Sequence, residues 1–295
     1  MLSNLRNSRR LFVIGWTLAR NDALFGLEAL SVSPIITFIC KRIARKKRAG
    51  ERPGERLARA LEALGPTFVK AGQALSTRPD LIGEDIAADL ARLRDQLPAF
   101  DAETAKRIIE TELEAPLPTL FASFDENAVA AASIAQVHSA TTPDGRKVAV
   151  KVLRPNIAEA FRRDIELMYW IAHIVVVRLP DWSERLKPLE VVATFETMVA
   201  MELDLRYEAA AATELRENME DDPGYFVPGV DWQRTARGVL TLEWVDGIPL
   251  GDIEAVRAAV PDTTRLVEIA ASAFFKQVFR DGFFHADMHP GNLFL

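Results

Sequence analysis

Apolar residues recur along this chain with two different periods, and the change from one to the other divides it. Before residue 120 the spacing is helical. Leu57–Leu64 is helical by composition. Pro66 can open the next helix at its first position, where its missing N–H has no partner to lose, and Pro79 ends that helix. Glu84–Leu97 and Ala102–Leu113 predict two further helices. At Phe121 the texture becomes that of a sheet. Phe124–Ala130, Ile134–Ala140 and Lys147–Leu153, rich in Val, Ile and Ala, predict three strands, and Asp144-Gly145 is a strong turn signal between the last two. Ile157–Leu179 and Leu189–Met219 predict long helices. Val227–Val245 returns to strand character, and Thr264–Arg280 predicts a last helix.

The N-terminus needs separate treatment. Leu11–Ala19 is apolar and follows Arg6, Arg9 and Arg10, but Arg20-Asn21-Asp22 stands where a secretion signal would carry a small-residue cleavage site. Ala29–Cys40 is a second uncharged run, broken by Pro34. A spanning helix needs roughly 20 apolar residues, so neither run crosses a bilayer. A basic cluster follows at Lys41, Arg42, Arg45, Lys46, Lys47 and Arg48. Residues 1–50 hold ten Lys/Arg against two Asp/Glu, and the remainder 26 against 40, so a +8 arm precedes a −14 body. Two readings of the arm stay open: an interfacial helix on anionic lipid, or a solvated basic face. No aromatics interleave with the basic cluster, which argues against nucleic acid. Cys40, the single cysteine, excludes an intrachain disulfide and suits a reducing compartment. The length of 295 residues, with 49% hydrophobic and 26% charged positions, allows one large or two smaller globular domains.

Candidate chemistry gathers at five places. Lys151, in Val148-Ala149-Val150-Lys151, has neighbours that point the other way into a core; a lysine on the inner side of a strand suits nucleotide phosphates, against the commoner solvated surface lysine. Upstream, Ala130, Ala131, Ala132 and Ser133 stand where most kinases put glycines. Alanine allows fairly close backbone approach to phosphates but not positive φ, which predicts a stiffer cover with altered nucleotide preference. Asp204 and Glu208, four apart on one predicted helix, share a stripe and should repel mildly; Lys151 is the natural partner for Glu208. Glu202 lies about 160° round from Asp204 on a regular helix, so one of the two should contact a different element. Lys70 and Gln73 share a polar stripe on the Pro66 helix, which is either its outer face or part of a motif. Finally, His285-Ala286-Asp287 and Asn292 form a loop of phosphoryl-transfer type: the aspartate accepts the proton of the attacking hydroxyl and the asparagine holds magnesium. His285, Asp287 and His289 also alternate as metal ligands could, but Pro290-Gly291-Asn292 favours the kinase-type loop, with His285 as a buttress and His289 packed.

Together these residues resemble the UbiB/AarF family of atypical protein-kinase-like proteins. The carriers are Lys70-Ala71-Gly72-Gln73 running to Arg78-Pro79-Asp80, the alanines 130–132 with Ser133, Lys151, Glu202 with Asp204, Glu208, and His285-x-Asp287-x-x-x-x-Asn292. The resemblance covers the chain from about Arg52 onward and implies an α+β, protein-kinase-like fold: an antiparallel-sheet N-lobe, a truncated helical C-lobe and a helical N-terminal extension. It divides the chain into a basic, membrane-proximal segment (1–50), the extension (51–120), the N-lobe with inserted helices (121–250) and the start of the C-lobe (251–295). It implies that the extension covers the place where kinases bind peptide, with Lys70 meeting Glu202 and Asp204. It also implies ATP or ADP with Mg2+, held by Lys151 on the phosphates, Glu208 orienting it, Asp287 as the catalytic aspartate, Asn292 on the metal and the Glu243–Val245 backbone on adenine. The implied activity is that of an ATP-dependent phosphotransferase or ATPase supporting ubiquinone biosynthesis. Its implied partners are nucleotide, quinone-pathway lipid intermediates and enzymes, and the anionic cytoplasmic face of a bacterial inner membrane; nucleic acid is not among them. A second magnesium-binding aspartate and membrane helices are expected past Leu295. A small-molecule kinase of aminoglycoside or choline kinase type, and a non-catalytic, nucleotide-gated lipid-binding scaffold, are the alternatives.

Overall fold

The strand pattern after Phe121 builds a four-stranded antiparallel sheet whose strands lie side by side in chain order. The computed structural model describes residues 2–23, 50–93, 97–178, 180–222, 224–260, 263–286 and 292–295. In chain order its elements are α1 (Leu2–Arg20), α2 (Pro53–Leu64), α3 (Pro66–Ser76), α4 (Pro79–Ile82), α5 (Glu84–Leu90), α6 (Ala102–Leu113) and α7 (Leu117–Leu120). Then come β1 (Ser123–Ala131), β2 (Ala135–Thr141), β3 (Lys147–Leu153), α8 (Ile157–Arg178), α9 (Pro180–Leu186), α10 (Pro188–Glu202), α11 (Leu205–Met219), β4 (Val239–Glu243), α12 (Ile253–Ala259) and α13 (Thr263–Phe275). A π-helical turn, Lys276–Asp281, follows α13. The chain forms two compact units. One comprises Met1–Pro98, Ala132–Ile134 and Asn156–Ala200; the other comprises Ala99–Ala131, Ala135–Pro155 and Met201–Leu295.

The first unit is helical. Ile14, Leu64 and Leu167 form one buried cluster and Leu61, Leu90 and Leu93 another. Arg10 turns inward from α1, pairs with the Asp164 carboxylate at 2.8 and 2.9 Å, and donates to Leu64 O at 3.1 Å. Gly65, at φ +108°, ends α2, and Pro66 begins α3 immediately afterwards. Gly72 is buried because α3 runs close to its neighbours: a Cβ there would stand 2.5 Å from Leu93 Cδ1 and 2.7 Å from Leu61 Cδ1.

The second unit holds the sheet. One face, with Ala140, Val148, Val150, Val152 and Val239, packs on Ile109 of α6 and on Leu120 and Phe121. The other face carries Val137, Ser139, Ala149 and Lys151, all only half-buried, so the alternation along β2 and β3 leaves one dry side and one open side. The Asp144-Gly145 turn forms with Gly145 at φ +88° and its N–H on Thr142 O.

Five expectations need correction. The helix predicted over Leu189–Met219 is two helices, because Asp204 leaves helical geometry (φ −128°, ψ 94°) and its side chain caps α11 through the Arg206 N–H. Asp204 therefore shares no helical stripe with Glu208. It pairs with Arg206 at 2.7 and 2.8 Å, and the expected repulsion is absent. Strand character over Val227–Val245 reduces to β4, preceded by a single bridge at Val230 and a 3-10 turn at Trp232–Arg234, where Asp231 and Arg234 pair locally. The helix predicted over Glu84–Leu97 stops at Leu90, and the one over Thr264–Arg280 passes into the π turn after Phe275. The runs at Ala29–Cys40 and Lys41–Arg48, Cys40 included, lie outside the described residues. Among those described, no helix is long and apolar enough to cross a membrane.

Candidate active site

Lys151 occupies the middle of β3, opposite Val137 on β2 and Leu240 on β4; Val137 in turn lies opposite Ala130 on β1. Opposed residues of an antiparallel sheet share a face, so Ala130, Val137, Lys151 and Leu240 form one row, which runs from exposed Ala130 through half-buried Val137 and Lys151 to fully buried Leu240. Glu208, in the first turn of α11, reaches this row. Its two carboxylate oxygens accept from Lys151 Nζ at 2.9 and 2.7 Å. Leu205 and Ala209, on either side of it along the helix, are buried and fix which way α11 faces. The pair itself remains open, with the lysine side chain 28% and the glutamate 46% exposed. A cation held at a rim in this way keeps hydrogen-bonding capacity for an anionic ligand.

The alanine segment continues from the β1 end of this row. Ala130 and Ala131 finish β1, Ala132 is half-buried and Ser133 buried, and none of the four has positive φ. On the dry side of the sheet β1 is irregular between Phe124 and Ala130. His138, buried beneath it, bonds Asp125 O through Nδ1 at 2.8 Å and Gln136 through Nε2 at 2.8 Å, and stacks on Phe124 with ring centroids 4.7 Å apart. Gln136 also accepts from Phe100 N–H at 2.8 Å. Burial holds the His138 pKa below its ordinary value. The ring is therefore neutral, with Nδ1 donating to the carbonyl and Nε2 accepting from the amide.

Past β4 the chain bends through Glu243, Trp244 and Val245. Glu243 N–H donates to Gly229 O at 2.8 Å and Trp244 N–H to Lys147 O at 3.2 Å. The Glu243 carboxylate accepts from Gly229 N–H and faces Arg216. Lys147 Nζ sits 4.1 Å above the Trp244 ring, an arrangement that stiffens the bend. Three residues on, Ile248 and Leu295 exchange backbone hydrogen bonds at 2.9 and 2.8 Å, and Leu250 N–H donates to Leu293 O at 2.9 Å. Asn292 therefore heads a segment pinned directly to the chain that leaves the bend.

The α11 helix and the turn before the final loop are joined by charge. Asp222 binds Lys276 and Arg280 of the π turn, which hold its carboxyl below the usual carboxylate range. Gln277, fully buried, accepts from Phe283 N–H at 3.1 Å through its backbone and from His285 N–H at 3.0 Å through its side chain. The His285 backbone is thus fastened from below. Asp287 and His289 lie outside the described residues.

Lys70 and Gln73 are half-buried on α3 of the first unit, and Glu202 is half-buried at the end of α10. Arg78 and Asp80 pair at 2.7 and 2.8 Å. Sequence reasoning passed over Asp222, Gln136, His138 and Gln277. Gln277 could have been found from its signal, a polar residue that continues the apolar stripe of Ile269, Ala270 and Ala273.

Residues 92–295 match the ABC1 atypical kinase-like domain. The chain belongs to the ABC1 atypical kinase-like family. A probable protein kinase UbiB of Marinobacter nauticus is 45% identical over 291 residues, 97% of this chain and 53% of its own length. Another, from Edwardsiella ictaluri, is 47% identical over 252 residues, 85% of this chain and 46% of its own length. The chain thus spans about half the length of the curated relatives it matches. Among solved structures, the complex of Rv3197 with erythromycin from Mycobacterium tuberculosis is 33% identical, with a TM-score of 0.56 over 80% of this chain and 59% of that one. The α+β, kinase-like fold of the ABC1 family is the fold of this chain.

Proposed function

We propose that this chain is the nucleotide-binding part of an ATP-dependent phosphotransferase or ATPase that supports ubiquinone biosynthesis at a membrane. The observation that carries the reading is the Lys151–Glu208 pair, held on the open face of the sheet in one row with Ala130. Lys151 offsets phosphate charge and Glu208 keeps it from collapsing onto another acceptor. Ala130–Ser133 cover the phosphates with ordinary negative-φ backbone. The Glu243–Val245 bend receives adenine. With Glu243 and Trp244 N–H already engaged, the Val245 N–H and the Glu243 carbonyl are the groups we assign to the base. Asp287 accepts the proton of the attacking hydroxyl or water. The Asn292 amide oxygen is a hard donor of the kind Mg2+ takes, and the ion's contribution when bound would be to neutralise phosphate charge.

We assign the membrane role to α1. Arg9, Phe12, Val13, Trp16 and Arg20 are exposed on one side of this helix, and Phe12 stacks on Trp16. Aromatic and basic residues on one face suit the headgroup region of an anionic bilayer. Quinone-pathway lipid intermediates and their enzymes are the partners such a location would bring within reach.

Thermal denaturation with and without MgATP tests the nucleotide site. Lys151→Ala should lower nucleotide affinity about 10- to 100-fold, the loss of a charge-assisted contact of about 1.5–3 kcal/mol. Unchanged stabilisation by nucleotide would remove Lys151 from the phosphate site. Asp287→Asn in the full-length protein should abolish support of quinone synthesis in a deletion strain; retained support would favour the non-catalytic scaffold.

A further inference from the structure

The contacts of Asp222 reach in two directions. It follows α11 by three residues, and its side chain is 9% exposed, so its charge is largely withdrawn from water. Lys276 takes one carboxylate oxygen and Arg280 the other, the latter at 2.6 Å. Arg280 also donates to Asn218 O at 2.7 Å, placing a cation at the C-terminal carbonyls of α11, and pairs with Asp281 at 2.6 Å. Beneath these charges Leu215, Met219, Val227 and Ala273 form an apolar cluster that includes Phe283 at its edge. The far side of the same π turn holds Gln277, whose amide oxygen fixes the His285 N–H. π turns within helices often sit at functional sites.

A continuous series of contacts therefore runs from Lys151 through Glu208, α11, Asp222 and the Lys276–Asp281 turn to His285, two residues before Asp287. We propose that Asp222 is a positioning residue that couples nucleotide engagement at Lys151 to the placement of the Phe283–His285 backbone, which leads in sequence to Asp287. This inference rests on the reading of Lys151 and Glu208 as the phosphate site. Asp222 touches no substrate; it acts by holding Lys276 and Arg280. A purely structural ion pair would affect stability alone, whereas a positioning residue transmits the state of one site to the other.

Amide hydrogen exchange of the chain, with and without MgADP, reads the coupling without requiring turnover. In the native sequence MgADP should slow exchange at Phe283–His285. In Asp222→Asn the nucleotide Kd should stay within about 3-fold of the native value, a difference under 1 kcal/mol, while protection of Phe283–His285 by nucleotide is lost. Asp222→Glu, which keeps the charge, should restore it. The double variant Lys276→Met with Arg280→Met should match Asp222→Asn from the other side. Native-like protection in Asp222→Asn or in the double variant overturns the proposal. So does a loss of protection across the whole second unit without nucleotide, which would mark a folding effect, and so does a native chain that binds MgADP without protecting Phe283–His285. If Lys151→Ala binds MgADP as the native chain does, the phosphate-site reading fails first and the coupling falls with it.

Discussion

Single residues in this chain take their chemistry from which side of a strand they occupy. Val150 and Val152 are fully buried, and Lys151 between them opens to the other side, where Glu208 meets it. That half of the site was legible from the alternation of Val148 to Val152, since a period of two assigns faces without further information. The acidic partner was legible too, because Glu208 follows in a helical segment rich in acids. His138 was not. A histidine in a strand carries no sign of its burial, and only the pairing of β2 with β1 sets it against Phe124 and Asp125 O. Its neutrality has a consequence. Burial lowers its folded pKa below the ordinary value of 6.5, so the unfolded chain binds the extra proton first. Stability from this residue is complete above pH 6.5 and falls as the pH drops below it. The denaturation midpoint should therefore decline from pH 7 to 5.5, and His138→Gln should flatten that decline; parallel slopes in the two proteins would rule His138 out as the cause.

Elements show where periodicity suffices and where a single side chain overrules it. The three strands of the hairpin region and α6 form where the pattern predicts them, because turn chemistry at Asp144-Gly145 and apolar spacing agree. Leu189–Met219 reads as one helix because every window in it is helical in composition. It breaks because Asp204 offers its carboxylate to the Arg206 N–H, a local bond that competes with the helical ladder. The break also gives α11 a fresh start, with Glu208 in its first turn. In α3 the glycine of Lys70-Ala71-Gly72-Gln73 has a packing reason. Gly72→Ala should destabilise the chain by about 1–3 kcal/mol, as overpacking against Leu61 and Leu93 does. Those two contacts are flexible side-chain ends, so the lower half of the range is expected. Denaturant titration measures it, and a neutral or stabilising result would show that α3 can move away from them.

On the scale of the whole molecule, the membrane role proposed for the basic N-terminal arm is testable on the exposed side of α1. Arg10 of α1 turns inward to Asp164, while Phe12 and Trp16 remain 68% and 44% exposed. Replacing both aromatics with Glu should weaken binding to vesicles containing phosphatidylglycerol by at least about 10-fold, from the lost apolar burial alone. The melting temperature should hardly change, since neither ring is in a core. Vesicle flotation measures the first and calorimetry the second; native-level flotation of the double variant would exclude this face of α1 as the membrane contact.

The sequence by itself determined the family, the strand and helix periods, and the residue types of the candidate site we propose: a strand lysine, an acidic helix partner, an alanine segment and an Asp-x-x-x-x-Asn loop. These are local signals, carried by period, turn residues and short spacing. Tertiary structure alone decided that Asp204 ends one helix and caps the next, that His138 is buried and neutral, that Leu293–Leu295 pairs with the chain leaving the bend at Val245, and that Asp222 joins α11 to the turn beneath His285. Each of these rests on contact between residues distant in the chain or on competition between a side chain and the backbone, and neither leaves a periodic trace in the order of amino acids.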